Sequence, residues 1–143
     1  MTNQTNHTNH INHINKTAII TGASRGIGAA IAKKLASCGY NLSLCCRNSS
    51  DRLKALADEL HCAYGIEVLC YTGNVGDFFF AKDMVTNTIS HFGHIDVLIN
   101  NAGISHIGLL SDMTPEEWNN IVAINLTGVS VSYTHLTLPT ILR

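Results

Sequence analysis

Apolar residues in this chain follow two alternating rhythms. Short apolar runs of strand length give way to longer stretches whose apolar positions fall three or four apart. Lys16 to Thr21, built on Ala18-Ile19-Ile20, reads as a first strand. Ile27 to Cys38 reads as a helix with Ile27, Ile31 and Leu35 on one face, Lys33 and Lys34 pointing away, and Gly39 at its end. Asn41 to Cys46 is a second strand. A helix capped at Ser49 or Ser50 carries Leu53, Leu56, Ala57 and Leu60 at helical spacing. Glu67 to Thr72 is a third strand, and Asp77 to Phe92 a third helix with Phe80, Met84, Val85, Ile89 and Phe92 inward. His94 to Asn100 supplies a fourth strand. Thr114-Pro115-Glu116-Glu117 opens a last helix that runs at least to Asn125, with Trp118, Ile121 and Val122 as a buried stripe.

Strand and helix alternate throughout, which predicts an α/β fold with a parallel sheet covered on both faces. Right-handed crossovers make it the first part of a doubly wound, Rossmann-type sheet, through the fourth strand and the following helix. At 143 residues, 45% hydrophobic and 13% charged, the chain suffices for one packed domain. A net charge of −1 with mixed signs gives no basic field, so nucleic acid and anionic membrane are not expected partners. No apolar run reaches membrane-spanning length, and the polar N-terminus is no secretory signal. The five cysteines form no C-x-x-C pair and read as small buried hydrophobes of a reduced, cytoplasmic protein. Residues 1–15 form an Asn/His/Thr-rich tract without core-forming period, expected to be disordered. Its His7, His10 and His13 lack assisting cysteines or carboxylates, so no metal site is expected there.

The candidate chemistry lies at the ends of the apolar runs. Thr21-Gly22-Ala23-Ser24-Arg25-Gly26-Ile27-Gly28 joins the first strand to the first helix. Glycine permits a positive φ and a close backbone approach. A helix start offers free N–H groups and a positive dipole end, so the turn reads as a cradle for phosphates. A tight turn without ligand is the alternative. The second strand ends Cys45-Cys46-Arg47-Asn48 with no acid. An acid at that position binds the ribose 2′-hydroxyl of NAD, whereas an Arg accommodates the 2′-phosphate of NADP. Arg25 and Arg47 together favour NADP(H) over NAD(H), unless both are solvated surface residues. Asn74-Val75 follows the third strand, and Asn100-Asn101-Ala102-Gly103 closes the fourth. Asn125 falls on the apolar stripe of the last helix, where a buried amide must find partners.

The glycine octapeptide, Arg47, Asn-Asn-Ala-Gly and Asn125, in that order over Lys16 to about Val129, resemble the short-chain dehydrogenase/reductase family. Within it the chain is similar to the bacterial 3-oxoacyl-[acyl-carrier-protein] reductase group. The resemblance implies a cofactor site at Gly22, Ser24, Arg25, Gly26, Ile27, Gly28, Arg47, Asn74, Val75, Asn101, Ala102 and Gly103. It implies that Asn125 belongs to the catalytic set and helps hold a water in a proton relay. Asn74 stands where the family commonly has Asp beside the adenine, yet an amide can serve that edge. The implied reaction is hydride transfer between NADP(H) and a carbonyl or secondary alcohol, with a small-molecule or acyl-thioester substrate and a homo-oligomeric full-length protein. A non-catalytic nucleotide sensor on the same fold is the alternative.

The chain departs from the family in its last residues. The family's Tyr-x-x-x-Lys is absent: four residues after Tyr133 stands Thr137. The catalytic Ser, Tyr and Lys are expected beyond this chain, leaving a fragment inactive by itself. Val131 to Thr140 is also what a common sequencing adaptor encodes in one frame, so 130–143 is expected to be non-native, leaving 16–129 as a partial nucleotide-binding domain.

Overall fold

The computed structural model describes residues 16–133. Four parallel strands form one sheet in the order β3-β2-β1-β4. They are β1 (Thr17–Thr21), β2 (Asn41–Cys46), β3 (Val68–Thr72) and β4 (Val97–Ile99). β1 lies between β2 and β4, with Thr17 opposite Asn41 and Ala18 opposite Val97. The doubly wound parallel architecture expected from the strand–helix alternation is the one observed. The helices are α1 (Gly26–Ser37), α2 (Ser50–Tyr64), α3 (Phe78–Phe92) and α4 (Pro115–Val122). α4 runs into a π-turn, Ala123–Thr127, and the helix resumes over 128–133.

All of β1 and β2 is buried, as fits central strands covered on both faces. One face, with Ile20, Leu42 and Leu44, packs under α1 and α2. The other, with Ile19 and Cys45, packs against Met84 and Val85 of α3. Ser43 also faces α3. Its Oγ lies 2.7 Å from Thr88 Oγ1, and Thr88 donates to the Met84 carbonyl at 2.7 Å, so a buried polar pair is satisfied.

Four details of the expected pattern change. The inner stripe of α1 is Gly28, Ala32 and Ala36, one residue out of phase with the large apolar residues. These small side chains let α1 approach the sheet; Ile31 and Leu35 pack at its flanks, and Ile27 is 72% exposed. In α3 the buried set is Ala81, Met84, Val85 and Thr88, again spaced three and four apart. Phe80 and Phe92 are only half-buried, and Ile89 is exposed. β4 is ordered as strand over three residues rather than seven, because only Val97 to Ile99 pair with β1. On α4 no residue is buried, and Trp118 is 55% exposed, because among the described residues nothing packs on its outer side. The capping box is formed: Thr114 Oγ1 accepts from the Glu117 N–H, and Glu117 accepts from the Thr114 N–H at 2.8 Å. Residues 1–15 and 134–143, with His7, His10, His13 and most of the adaptor-like segment, lie outside the described residues.

Candidate functional site

The carboxyl ends of all four strands border one cavity of about 550 Å³. Its organising residue is Thr21, the last of β1. The Thr21 Oγ1 accepts from the N–H groups of Asn101 and Ala102, each at 3.0 Å, and donates to the Ile99 carbonyl at 3.3 Å. Asn101 returns the contact: its Nδ2 donates to the carbonyls of Thr21 at 3.0 Å and Gly22 at 3.2 Å. The glycine turn is thereby laced to the end of β4. On its other side the Ala23 N–H donates to the Cys45 carbonyl at 2.9 Å, tying it to β2.

This lacing leaves no room for side chains within the turn. Gly22 has φ +66°, and a Cβ on it would lie 2.9 Å from Ala102 Cα. A Cβ on Gly28 would overlap the Gly22 carbonyl oxygen. Gly28 therefore stands behind the turn and does not line the cavity, whereas Gly22, Ser24, Arg25, Gly26 and Ile27 do. No side chain caps the N-terminus of α1, and its first turn carries no acid. Its leading N–H groups remain available to an anion.

The second strand brings Cys45, Cys46, Arg47, Asn48 and Ser49 to the same cavity. Ser49 precedes α2 but makes no side-chain cap bond, so its hydroxyl is not committed to that helix. Among the described residues lining the cavity there are two arginines, Arg25 and Arg47, and no carboxylate. Burial pushes the Cys45 thiol up to about 11, partly offset by a backbone hydrogen bond from Gly22, so this sulfur is a neutral wall rather than a nucleophile.

Asn74 and Val75 line the wall after β3. The Asn74 Oδ1 accepts from the Gly76 N–H at 3.0 Å, so this side chain shapes its own turn. Asn101, Ala102 and Gly103 form the wall after β4, continued by Ile104. Asn125 does not line the cavity. It is exposed, not part of a buried stripe, because the π-turn shifts the helical phase and turns Ile124 inward instead. The Asn125 Oδ1 accepts from the Ile104 N–H at 2.9 Å and its Nδ2 donates to the Ile104 carbonyl at 2.8 Å. Both ends of the amide are thus spent on holding the loop after β4.

Of the residues the resemblance implies for the cofactor site, the structure brings all but Gly28 to one opening; Asn125 also lies outside it. The structure adds the Thr21 hydroxyl as the joint, and Ile104 and Ile124 as apolar wall. The two isoleucines carry no polar signal by which a motif could have found them. Thr21 lay within the octapeptide, but its bonds to residues eighty positions away appear only on folding. Among the described residues no cluster of three or more His, Cys, Asp or Glu is arranged for a metal, and no helix is long and apolar enough to cross a membrane.

A parallel sheet of order 3-2-1-4, with a glycine turn at the first strand–helix junction and a cavity at the strands' carboxyl ends, defines a doubly wound protein of the dinucleotide-binding class. The chain belongs to the short chain dehydrogenase family, which it matches over residues 16–143. It is 42% identical over 114 residues to 3-oxoacyl-[acyl-carrier-protein] reductase FabG of Staphylococcus epidermidis, covering 80% of this chain and 46% of that protein. It is 39% identical over 124 residues to D-beta-hydroxybutyrate dehydrogenase of Cupriavidus necator, covering 87% of this chain and 47% of that one. Among solved structures it is similar to an alcohol dehydrogenase from the archaeon Thermococcus sibiricus complexed with 5-hydroxy-NADP, with 37% identity, a TM-score of 0.80 and coverage of 85% and 51%. A Burkholderia cenocepacia short chain dehydrogenase in complex with NADP gives 32% identity, a TM-score of 0.82 and coverage of 85% and 49%. The chain spans about half the length of the curated relatives it matches.

Proposed function

We propose that this chain carries the nucleotide-binding part of an oxidoreductase that exchanges hydride between NADP(H) and a carbonyl or secondary alcohol. The observation that carries the reading is the single cavity that joins an uncapped helix start, two arginines and no carboxylate. The N–H groups of the α1 start and the Ser24 hydroxyl suit a pyrophosphate. Arg25 and Arg47 suit a phosphate dianion on the ribose, where a carboxylate would have suited a free hydroxyl. Gly22, Gly26, Ile27, Asn74, Val75, Asn101, Ala102 and Gly103 give the remaining wall, and Gly28 lets α1 close on the turn. When bound, the nicotinamide would supply or accept the hydride; the chain's own residues hold and orient it and exclude water from its apolar side at Ile104 and Ile124. Asn125 fixes the backbone of Ile104 and through it the end of this wall.

The substrate we infer is a small carbonyl compound or an acyl thioester, as the names of the relatives suggest for those proteins. No Tyr-x-x-x-Lys occurs in the 143 residues and the chain spans about half of its relatives, so we infer that proton transfer to the substrate belongs to a longer protein. We further propose that this protein is homo-oligomeric and cytoplasmic, and, from the adaptor-like run Val131 to Thr140, that 16–129 is its native part and 130–143 is not. Titration of the 143-residue chain with NADPH, NADH and adenosine 2′,5′-bisphosphate tests the binding. The expected result is tighter binding of the two 2′-phosphorylated ligands, with Arg25→Ala and Arg47→Ala each weakening them by about tenfold or more and sparing NADH. Equal losses for NADH would refute the NADP(H) preference, and no binding of any of the three would refute the nucleotide site. Incubation with NADPH and a 3-oxoacyl thioester should give no product; turnover would overturn the assignment of the proton relay to a longer protein.

A further inference from the structure

The π-turn of the last helix touches both walls of the cavity. On one side Asn125 holds Ile104 through two hydrogen bonds of 2.9 and 2.8 Å. On the other side the helix meets the segment after β3 backbone to backbone. A Cβ on Gly76 would lie 2.8 Å from the Ala123 carbonyl oxygen and 2.9 Å from its carbon. A Cβ on Gly128 would lie 2.8 Å from the Val75 carbonyl oxygen and 3.1 Å from its carbon. The contact is reciprocal: each partner contributes one glycine and one carbonyl. Both carbonyls belong to the backbone, so no flexible side chain can swing aside to admit a methyl group. Val75 is 7% exposed and Ile124, between Ala123 and Asn125, is 4% exposed; both line the cavity.

Neither glycine is needed for its dihedral angles. Positive φ occurs at Gly22, Gly26, Gly39, Gly65 and Gly93 but not at Gly76 or Gly128, and Gly128 is ordinary helix at φ −58° and ψ −40°. Alanine suits a helical position better than glycine. What glycine provides at these two positions is proximity.

We propose that Gly76 and Gly128 are positioning residues that set the spacing of the two cavity walls, with the π-turn as the spacer between them. The proposal rests on the reading of the cavity as a nucleotide site. A methyl group at either glycine must push Val75 and the π-turn apart by a few tenths of an ångström or more. Because Asn125 anchors the same turn to Ile104, the displacement passes to the wall after β4. A binding site loses affinity when its walls shift on that scale.

The test compares Gly76→Ala, Gly128→Ala, the double variant and Leu60→Ala in the 143-residue chain. Leu60 is fully buried in the α2 side of the core and lines no part of the cavity, so its truncation destabilises without touching the seam. Each glycine variant should weaken NADPH binding by about tenfold or more while the circular dichroism spectrum stays native. The double variant should lose less than the product of the two single losses, because both open one seam. Leu60→Ala should lower the melting temperature yet leave the affinity of the folded chain within about twofold. Amide exchange gives a readout that needs no nucleotide: the Ile104 N–H, bonded to Asn125, should exchange faster in Gly76→Ala and Gly128→Ala than in Leu60→Ala. Native affinity and native Ile104 protection in the glycine variants would overturn the proposal. If wild-type chain binds no nucleotide, the functional reading fails, and the exchange comparison still decides whether the seam positions Ile104.

Discussion

The two ends of the sheet differ sharply. The β1–β2 region is finished: every residue of both strands is buried, and α1 and α2 close over one face. The β4–α4 region is half-built: all three residues of β4 are only partly buried, none of α4 is buried, and Trp118, Leu126, Leu109 and Leu110 are 55–75% exposed. Both regions border the same cavity. The β1–β2 side of that cavity therefore rests on a dense core, whereas the β4 side depends on hydrogen bonds: the Thr21–Asn101 lacing and the Asn125–Ile104 pair. Stability and shape are thus supplied by different physics at the two ends.

Truncations should expose this contrast most strongly. Ile20→Ala, at a fully buried β1 position, should cost about 3 kcal/mol in urea unfolding, whereas Leu126→Ala, 65% exposed, should change stability by about 0.5 kcal/mol or less. Similar losses at the two sites would dissolve the comparison. Next comes the lacing. Thr21→Val keeps the shape but leaves the N–H groups of Asn101 and Ala102 without their acceptor, and should cost about 2 kcal/mol; Thr21→Ser should restore most of it. If valine proves neutral, the hydroxyl is not what joins the two ends.

A smaller effect is expected at the start of α4. Thr114→Ala should remove about 1 kcal/mol of local helix stability, read as faster amide exchange at Glu117. The same cap carries a pH dependence. The Thr114 N–H and then its hydroxyl hold the Glu117 carboxyl below its usual value of 4.5. A carboxyl lowered by folding stabilises the folded state at pH above its unfolded value and loses that contribution as pH falls through the folded one. Protection of the first turn of α4 should therefore decline on acidification below about pH 4.5, and Thr114→Ala, which removes the hydroxyl but keeps the backbone N–H, should lessen that decline without abolishing it. The least effect concerns thiols. Only Cys45 and Cys46 are buried as the sequence pattern suggests; Cys38, Cys62 and Cys70 are exposed, so alkylation at pH 8 should modify Cys38 and Cys62 well before Cys45, whose thiol is pushed up to about 11 by burial. Early loss of Cys45 would mean that the finished end opens more readily than its packing implies.

Much of this was determined by the sequence itself. Periodicity located all four strands and four helices, because apolar spacing and caps are local properties. The glycine turn, Arg47 and Asn-Asn-Ala-Gly announced their junctions, because backbone demands at a phosphate-type turn restrict residue choice. The inner face of α1 lies one residue from its large apolar positions, and α3 keeps Met84 and Val85 inward but buries Ala81 and Thr88 in place of Phe80, Ile89 and Phe92, because a close helix–sheet approach selects small side chains. Asn125 illustrates the other limit. Its place on an apolar stripe presumes an unbroken α-helix; the structure has a π-turn there, close against Gly76 and Val75, with Asn125 bonded to Ile104. Sequence patterns specify which face an element buries; only the tertiary structure decides how near two backbones come, because that distance is set by both partners at once.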